Sequence, residues 1–385
     1  DTWRAGVFEL DERLRADRPA FREAFGLALD PGALVAARRL EADRHQGGRA
    51  VFRLRFESGW EVVYKPRSLG LEAAFARWAE WASDSGLACA PPAARVLDRA
   101  AYGWMECLNP ASLERPDPEV VAEYFRRAGA LLAFAYVGNA RDLHAENVIA
   151  TSRGPVVVDW EMLLQPESAR SDSHPLGSCL DSGLVAAAGT DAMEAVYPGF
   201  EPVVPRRLSD RARCWRELGS DQIAVAAGEL FSAPRENALR VSGREQTPAD
   251  HAPALLEGFA DAYRFLVARR QELLASDGIL GAAGPLRSAR TRVLLRRSQE
   301  YATLLGMLGL PRFQRSGLAS GYLLEASLRP FANSRQRPPS WPLAAAEREA
   351  IEDLDLPRFE IGIQAVTLRA AAGAEPQYTA LHAIS

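Results

Sequence analysis

Two short segments, Asp142-Leu143-His144-Ala145-Glu146-Asn147 and Val156-Val157-Val158-Asp159-Trp160-Glu161, place several hard oxygen donors close together in the chain. Asp142 and Asn147 stand five residues apart, and twelve residues after Asn147 an aliphatic run ends in Asp159. A carboxylate and an amide carbonyl, Asp159 and Asn147, suit a magnesium ion carried on a polyphosphate. Asp142 is then left free to orient and deprotonate an attacking hydroxyl. Alone, each acid reads as a turn residue and His144 as a hydrogen-bonding filler. Their combination has the spacing of phosphoryl transfer.

Of the 46 basic residues only Lys65 is a lysine; the other 45 are arginines. Codon drift accounts for the arginines, and a position that arginine cannot fill accounts for the survivor. An ammonium is a compact charge that can touch two phosphate oxygens without the planar fork of a guanidinium. A phosphate-binding lysine on a strand needs a carboxylate partner from the next helix. Glu72 is the nearest, with Glu80 as the alternative. Asp43-Arg44-His45-Gln46-Gly47-Gly48-Arg49 reads as a polar turn. Its twenty-residue offset from His45 to Lys65 has room for a hairpin, so that both can face one cleft. Arg292 and Arg296 lie one turn apart on an expected helix, a face suited either to a phosphate dianion or to solvent. Ser298 falls on a different face unless that helix breaks.

The elements that must position these groups follow from periodicity. Apolar residues at helical spacing run through 7–28, interrupted at Pro19. Residues 50–56 and 61–65 alternate as strands about a turn at Ser58-Gly59, and 71–81 is an amphipathic helix. Short strands are expected at 94–97 and 103–108, and a helix at 116–136. A strand pair then turns at 153–155. Helices are expected near 180–195 and 207–232, and at 252–275, 286–309 and 343–354. This order predicts an α+β protein, with a strand-rich part at 1–108 and a larger helical part at 109–385.

Composition narrows the class. The chain has 385 residues, 48% hydrophobic and 25% charged, as globular proteins do. A net charge of −4 argues against a nucleic-acid-coating surface. No apolar run suffices for a membrane span, and the first twenty residues are too charged for a signal peptide. Four scattered cysteines lack zinc spacing and read as reduced thiols of a cytoplasmic protein.

Together these residues resemble the dehydratase domain of class II lanthipeptide synthetases, the LanM family. His45-Gln46-Gly47-Gly48-Arg49 through Val63-Tyr64-Lys65-Pro66-Arg67-Ser68-Leu69 is similar to its G-D-x-H-x-x-G-R…V-Y-K-P-R-S-L segment. Tyr102-Gly103-Trp104-Met105-Glu106, Asp142–Asn147 and Asp159–Leu163 continue the match. So do Gly258–Tyr263, the Arg292/Arg296/Ser298 element and Asp353–Phe359. The resemblance covers about residues 25–360.

It implies a bilobal fold similar to lipid and protein kinases, with additional C-terminal helical elements, and ATP with Mg2+. It also implies phosphorylation of Ser and Thr in a ribosomal precursor peptide bearing a leader segment. Elimination of phosphate then leaves dehydroalanine or dehydrobutyrine. By this resemblance Asp43, His45, Lys65, Asp142, His144, Asn147, Asp159 and Glu161 serve phosphorylation, whereas Arg292 and Ser298 serve elimination. Ser298 stands where the family usually has Thr, and Ala42 where it usually has Gly. Nothing in the chain resembles the family's zinc-binding cyclase domain; it is either an excised domain or a stand-alone dehydratase that leaves ring closure to a separate cyclase. The enzyme alternative is a small-molecule phosphotransferase of the aminoglycoside or choline kinase kind, which shares the catalytic loop but not V-Y-K-P-R. Lys65→Arg is expected to lower the phosphorylation rate roughly a hundredfold. Full activity in a phosphate-incorporation assay would return Lys65 to codon drift.

Overall fold

The computed structural model describes residues 2–40, 49–165, 178–186, 197–203, 207–216, 221–222, 224–231, 235–281, 283–286, 288–296, 298–329, 343–363 and 368–370. The architecture is α+β. Helix α1 (Thr2–Phe25) carries a buried stripe of Leu10, Leu14, Phe21 and Phe25. It runs through Pro19 without the expected split. Proline costs one backbone donor, and burial on both sides of it, with Phe21 fully enclosed, holds the helix together.

The stripe covers one face of an antiparallel sheet in the order β1-β2-β3-β5-β4: β1 (Leu34–Arg39), β2 (Phe52–Phe56), β3 (Glu61–Lys65), β4 (Val96–Asp98) and β5 (Gly103–Glu106). Leu54, Phe56, Val62, Tyr64 and Trp104 meet α1 there. Asp17 pins the helix down, accepting from Trp104 Nε1 at 2.8 Å and Arg99 Nε at 2.7 Å. The turn at Ser58-Gly59 forms as expected, with Gly59 at φ +81°. The sequence reading missed β1, because five of its six residues are exposed and no apolar alternation marks it.

Helix α2 (Gly70–Asp84) and helix α3 (Pro118–Val137) bury Phe75, Trp78, Leu131 and Phe134 in the largest core. Asp117 caps α3 by accepting from Glu119 N, and Pro118 opens it. Strand β6 (Ser112–Leu113) precedes α3, and β7 (Val148–Thr151) and β8 (Gly154–Val157) follow it as a hairpin.

The expected helix at 207–232 is instead two paired strands, β9 (Arg207–Arg216) and β10 (Ala224–Phe231), where pairing along the ladder overrides local helix propensity. Near 180–195 the described residues show only a 3-10 turn, Cys179–Ser182; 187–196 lie outside them. Strands β11 (Arg240–Val241) and β12 (Arg244–Glu245) join β6, and helices α4 (Ala252–Ala268) and α5 (Arg270–Leu274) follow.

The expected helix at 286–309 is split into strand β13 (Arg290–Val293) and helix α6 (Ser298–Leu308). Helices α7 (Pro311–Gln314), α8 (Gly317–Leu328) and α9 (Ala344–Glu352) come next. Strand β14 (Phe359–Gly362) pairs with β13 and with β15 (Leu368–Ala370).

α3 and α4 cross at two glycines. A Cβ on Gly129 would fall 1.9 Å from Leu255 O, and one on Gly258 would fall 1.9 Å from Arg126 O. Both obstacles are backbone, so neither can yield without separating the helices. Gly258→Ala is therefore expected to destabilise the domain by ~1–3 kcal/mol, lowering the urea midpoint at unchanged slope. An unchanged midpoint would show that the helices do not meet this closely.

Candidate active site

β3 sets the first group. Val62 and Tyr64 point into the core beneath α1, so Val63 and Lys65 point to the opposite face, towards Val156 and Val158. Lys65 is 8% exposed, donates to the Val158 carbonyl and has its Nζ 3.8 Å from Asp159 Oδ2. Burial pushes the Lys65 pKa down, and the Asp159 charge opposes that shift.

The expected Lys65–Glu72 pair does not form in this structure, because Arg67 takes its place. Arg67 Nη2 lies 2.6 Å from Glu72 Oε1 and 2.8 Å from Asp159 Oδ1, and Nε lies 3.7 Å from Glu161 Oε2. Burial works against the Arg67 charge, but Asp159, Glu72 and Glu161 outweigh it and raise its pKa. Glu80, the alternative partner, is exposed on α2.

Asp159 and Glu161 are positioned by the residue between them. Trp160 is 2% exposed and stacks on Phe75 of α2, with ring centroids 3.8 Å apart. With the indole locked in the core, the flanking carboxylates reach Arg67. Asn147 is tied to the same strand end, its carbonyl accepting from Val158 N at 2.9 Å. Its side-chain NH2 donates to Asp142 O at 2.8 Å. That contact braces a loop in which Asp142 adopts φ +64°, a left-handed conformation that Asp tolerates better than most residues. Leu143 anchors the loop by burial, and its N–H donates to Ser182 O. His144 Nε2 stands 3.8 Å from Asp142 Oδ1. Burial chiefly raises the Asp142 pKa, to about 6, with His144 pulling it down and Glu161 pushing it up.

β13 brings in Arg292. Its N–H donates to Glu161 O at 2.6 Å, and Gln165 Nε2 donates to Thr291 Oγ1 and Arg292 O. The Arg292 guanidinium donates to Glu161 Oε1, and Arg358 Nη1 donates to Glu161 Oε2 at 2.8 Å. Burial disfavours the Glu161 carboxylate, but Arg292, Arg358 and Arg67 hold its pKa well below the usual range.

Arg296 does not share a face with Arg292. It binds Glu347 at 2.8 Å, alongside Tyr301, in a separate cluster against α9. Ser298 opens α6, and among the described residues no hydrogen bond joins it to the cluster. Asp43 and His45 lie outside the described residues.

The structure thus brings together Lys65, Glu72, Asp142, His144, Asn147, Asp159, Glu161 and Arg292. Sequence reasoning missed Arg67 and Arg358. Arg67 sits inside the quoted V-Y-K-P-R run, two residues after Lys65, and that was the available signal. Arg358 sits inside the matched Asp353–Phe359 segment, which was its signal, although its partner lies 197 residues away.

Fold and site define an α+β domain with an acid–base cluster joined to a buried arginine–carboxylate network. A family model described as a domain of unknown function, DUF4135, matches residues 1–362, and the chain belongs to that family. It is also 22% identical over 306 residues to the lacticin 481/lactococcin biosynthesis protein LcnDR2 of Lactococcus lactis subsp. lactis. The match takes in 74% of this chain but 32% of that protein, so the chain spans about a third of its curated relative.

Because the fold raises the Asp142 pKa, it favours the neutral acid there. The stability gained from that preference is complete below the ordinary carboxylate range and is lost as pH rises through about 6. Asn tolerates the same left-handed backbone, so Asp142→Asn isolates the charge. The variant is expected to melt higher than the wild type above that pH, with the advantage shrinking in acid. A constant difference in thermal melts across pH would contradict the raised pKa.

Proposed function

We propose that the domain is an ATP- and Mg2+-dependent dehydratase, acting on Ser and Thr side chains of a ribosomal precursor peptide that carries a leader segment. One observation carries this reading. The groups suited to phosphoryl transfer, Lys65, Asp142, Asn147 and Asp159, adjoin the Glu161–Arg292 pair that the resemblance assigns to phosphorylation and elimination. Membership of the DUF4135 family and the likeness to a lacticin biosynthesis protein support it. We read the fold as kinase-like, with two lobes meeting at this cluster.

The donor chemistry fits magnesium. Asn147 spends its amide N–H on Asp142 O, leaving the carbonyl as a ligand, and Asp159 adds a carboxylate. Among the described residues no set of three His, Cys, Asp or Glu forms a metal cluster. Two protein ligands, completed by phosphate oxygens and water, match the usual magnesium arrangement on a nucleotide. When bound, the ion would neutralise charge on the transferring phosphate.

Lys65 holds the phosphate chain of ATP, and Asp142 accepts the proton of the attacking hydroxyl. A pKa of about 6 leaves Asp142 mostly ionised yet basic at neutral pH. Arg292 then neutralises the phosphate that leaves with the Cβ–O electron pair, while a base takes the Cα proton and the Cα–H electron pair becomes the double bond. A separate cyclase would consume the dehydrated peptide, and we place the reaction in the cytoplasm. Among the described residues no helix is long and apolar enough to cross a membrane.

With precursor peptide, ATP and magnesium, the chain is expected to remove one water per modified residue, read by mass spectrometry. Arg292→Ala is expected to accumulate phosphopeptide, and Asp142→Asn to leave the peptide untouched. Normal dehydration by Arg292→Ala would refute its role, and phosphorylation of a small alcohol instead of peptide would favour the alternative enzyme.

A further inference from the structure

Glu161 is gripped on both oxygens. Arg292 donates to Oε1, and Arg358 donates to Oε2 at 2.8 Å. A carboxylate bridged by two guanidiniums puts two anionic oxygens where two of a phosphate monoester's would sit, but with one charge. One arginine neutralises one charge, whereas a departing phosphate carries nearly two. Arg292 alone is half of what that leaving group requires.

The surroundings point the same way. Glu161, Arg67 and Arg358 line a cleft of about 770 Å³ in which six arginines face four acidic residues. Arg77, on the exposed side of α2, projects into it with no ion pair among the described residues. Arg292 Nε is buried without a hydrogen-bond partner, a donor left over for a ligand. Arg358 is itself braced, its Nε donating to Glu360 Oε1 at 2.8 Å. Arg67 Nε already stands 3.7 Å from Glu161 Oε2, so a displaced Glu161 carboxylate has a cation to move onto.

We propose that Arg358 and Arg292 form a phosphate-monoester site in which Glu161 holds the place of the phosphate, and that the phosphorylated Ser or Thr side chain enters it from this cleft. Entry moves Glu161 towards Arg67 and exchanges a carboxylate for the phosphate between the two arginines. Arg358 is then a phosphate-binding residue for elimination. The inference rests on the dehydratase reading above.

The test supplies a synthetic phosphoserine form of the precursor peptide to the whole chain without ATP and follows phosphate release. Arg358→Gln is shorter; it keeps some hydrogen bonding but removes the charge. It is expected to slow elimination at least about tenfold, and to slow phosphorylation of the unmodified peptide much less. Inorganic phosphate is expected to inhibit elimination by the wild type, with an inhibition constant about tenfold higher in Arg358→Gln. Arg358→Lys, which keeps the charge, is expected to fall between them and decides the matter if the glutamine variant does not fold. Wild-type elimination and phosphate inhibition in the folded variants would overturn the proposal. So would an equal loss of phosphorylation and elimination, which would make Arg358 structural. A wild-type chain that neither phosphorylates nor eliminates gives a different pattern and overturns the dehydratase reading itself.

Discussion

Buried charge has to be matched on the spot, and in this domain that requirement joins segments far apart in sequence. Arg67, Arg292 and Arg358 converge on Glu161, while Arg67 also holds Glu72 and Asp159. Each ion costs several kcal/mol to withdraw from water, and removing one partner of such a pair costs about 3–5 kcal/mol. The network is satisfied only when β3, the start of α2, the 159–161 turn and the β13–β14 ladder are all in place. That demand helps to define the relative placement of elements that hydrophobic burial alone would leave free to slide.

The apolar scaffold meets the demand from below. Trp160, stacked on Phe75, fixes the carboxylates on either side of it, and Gln165 ties β13 to the same loop. The surroundings then drive two neighbouring carboxylates apart. Asp142, with no arginine bonded to it, is pushed up to about 6, whereas Glu161, between arginines, is held well below the usual range. One is suited to exchanging a proton near neutral pH, and the other stays an anion. Pairs of acids separated in this way divide acid–base work from electrostatic work.

Much of the site was legible because its chemistry is local. Asp142, Asn147 and Asp159 lie within one loop and the hairpin that follows it, so spacing alone brought them together. Lys65 stood out by composition, and the hairpin expected about Ser58-Gly59 placed it at the end of a strand. The hairpin at Ser58-Gly59, α2, α3 and the β7–β8 pair followed from apolar periodicity and turn residues. At the site, the misread element has a remote partner. Residues 290–296 have a helix-compatible composition, but Arg290–Val293 pair with Phe359–Gly362. That pairing separates Arg292 from Arg296, which turns to Glu347.

The sequence by itself determined which acids, amides and cations the loops and strands could present, and it marked Lys65 as the single lysine among 45 arginines. Only the tertiary structure decided which cation meets which carboxylate. Glu72 went to Arg67 rather than to Lys65, and Arg358 came to Glu161 across 197 residues. The physical reason is that charge pairing acts through space and depends on desolvation. Both are set by the packing of the whole domain, whereas spacing along the chain governs only what one loop or one strand can present.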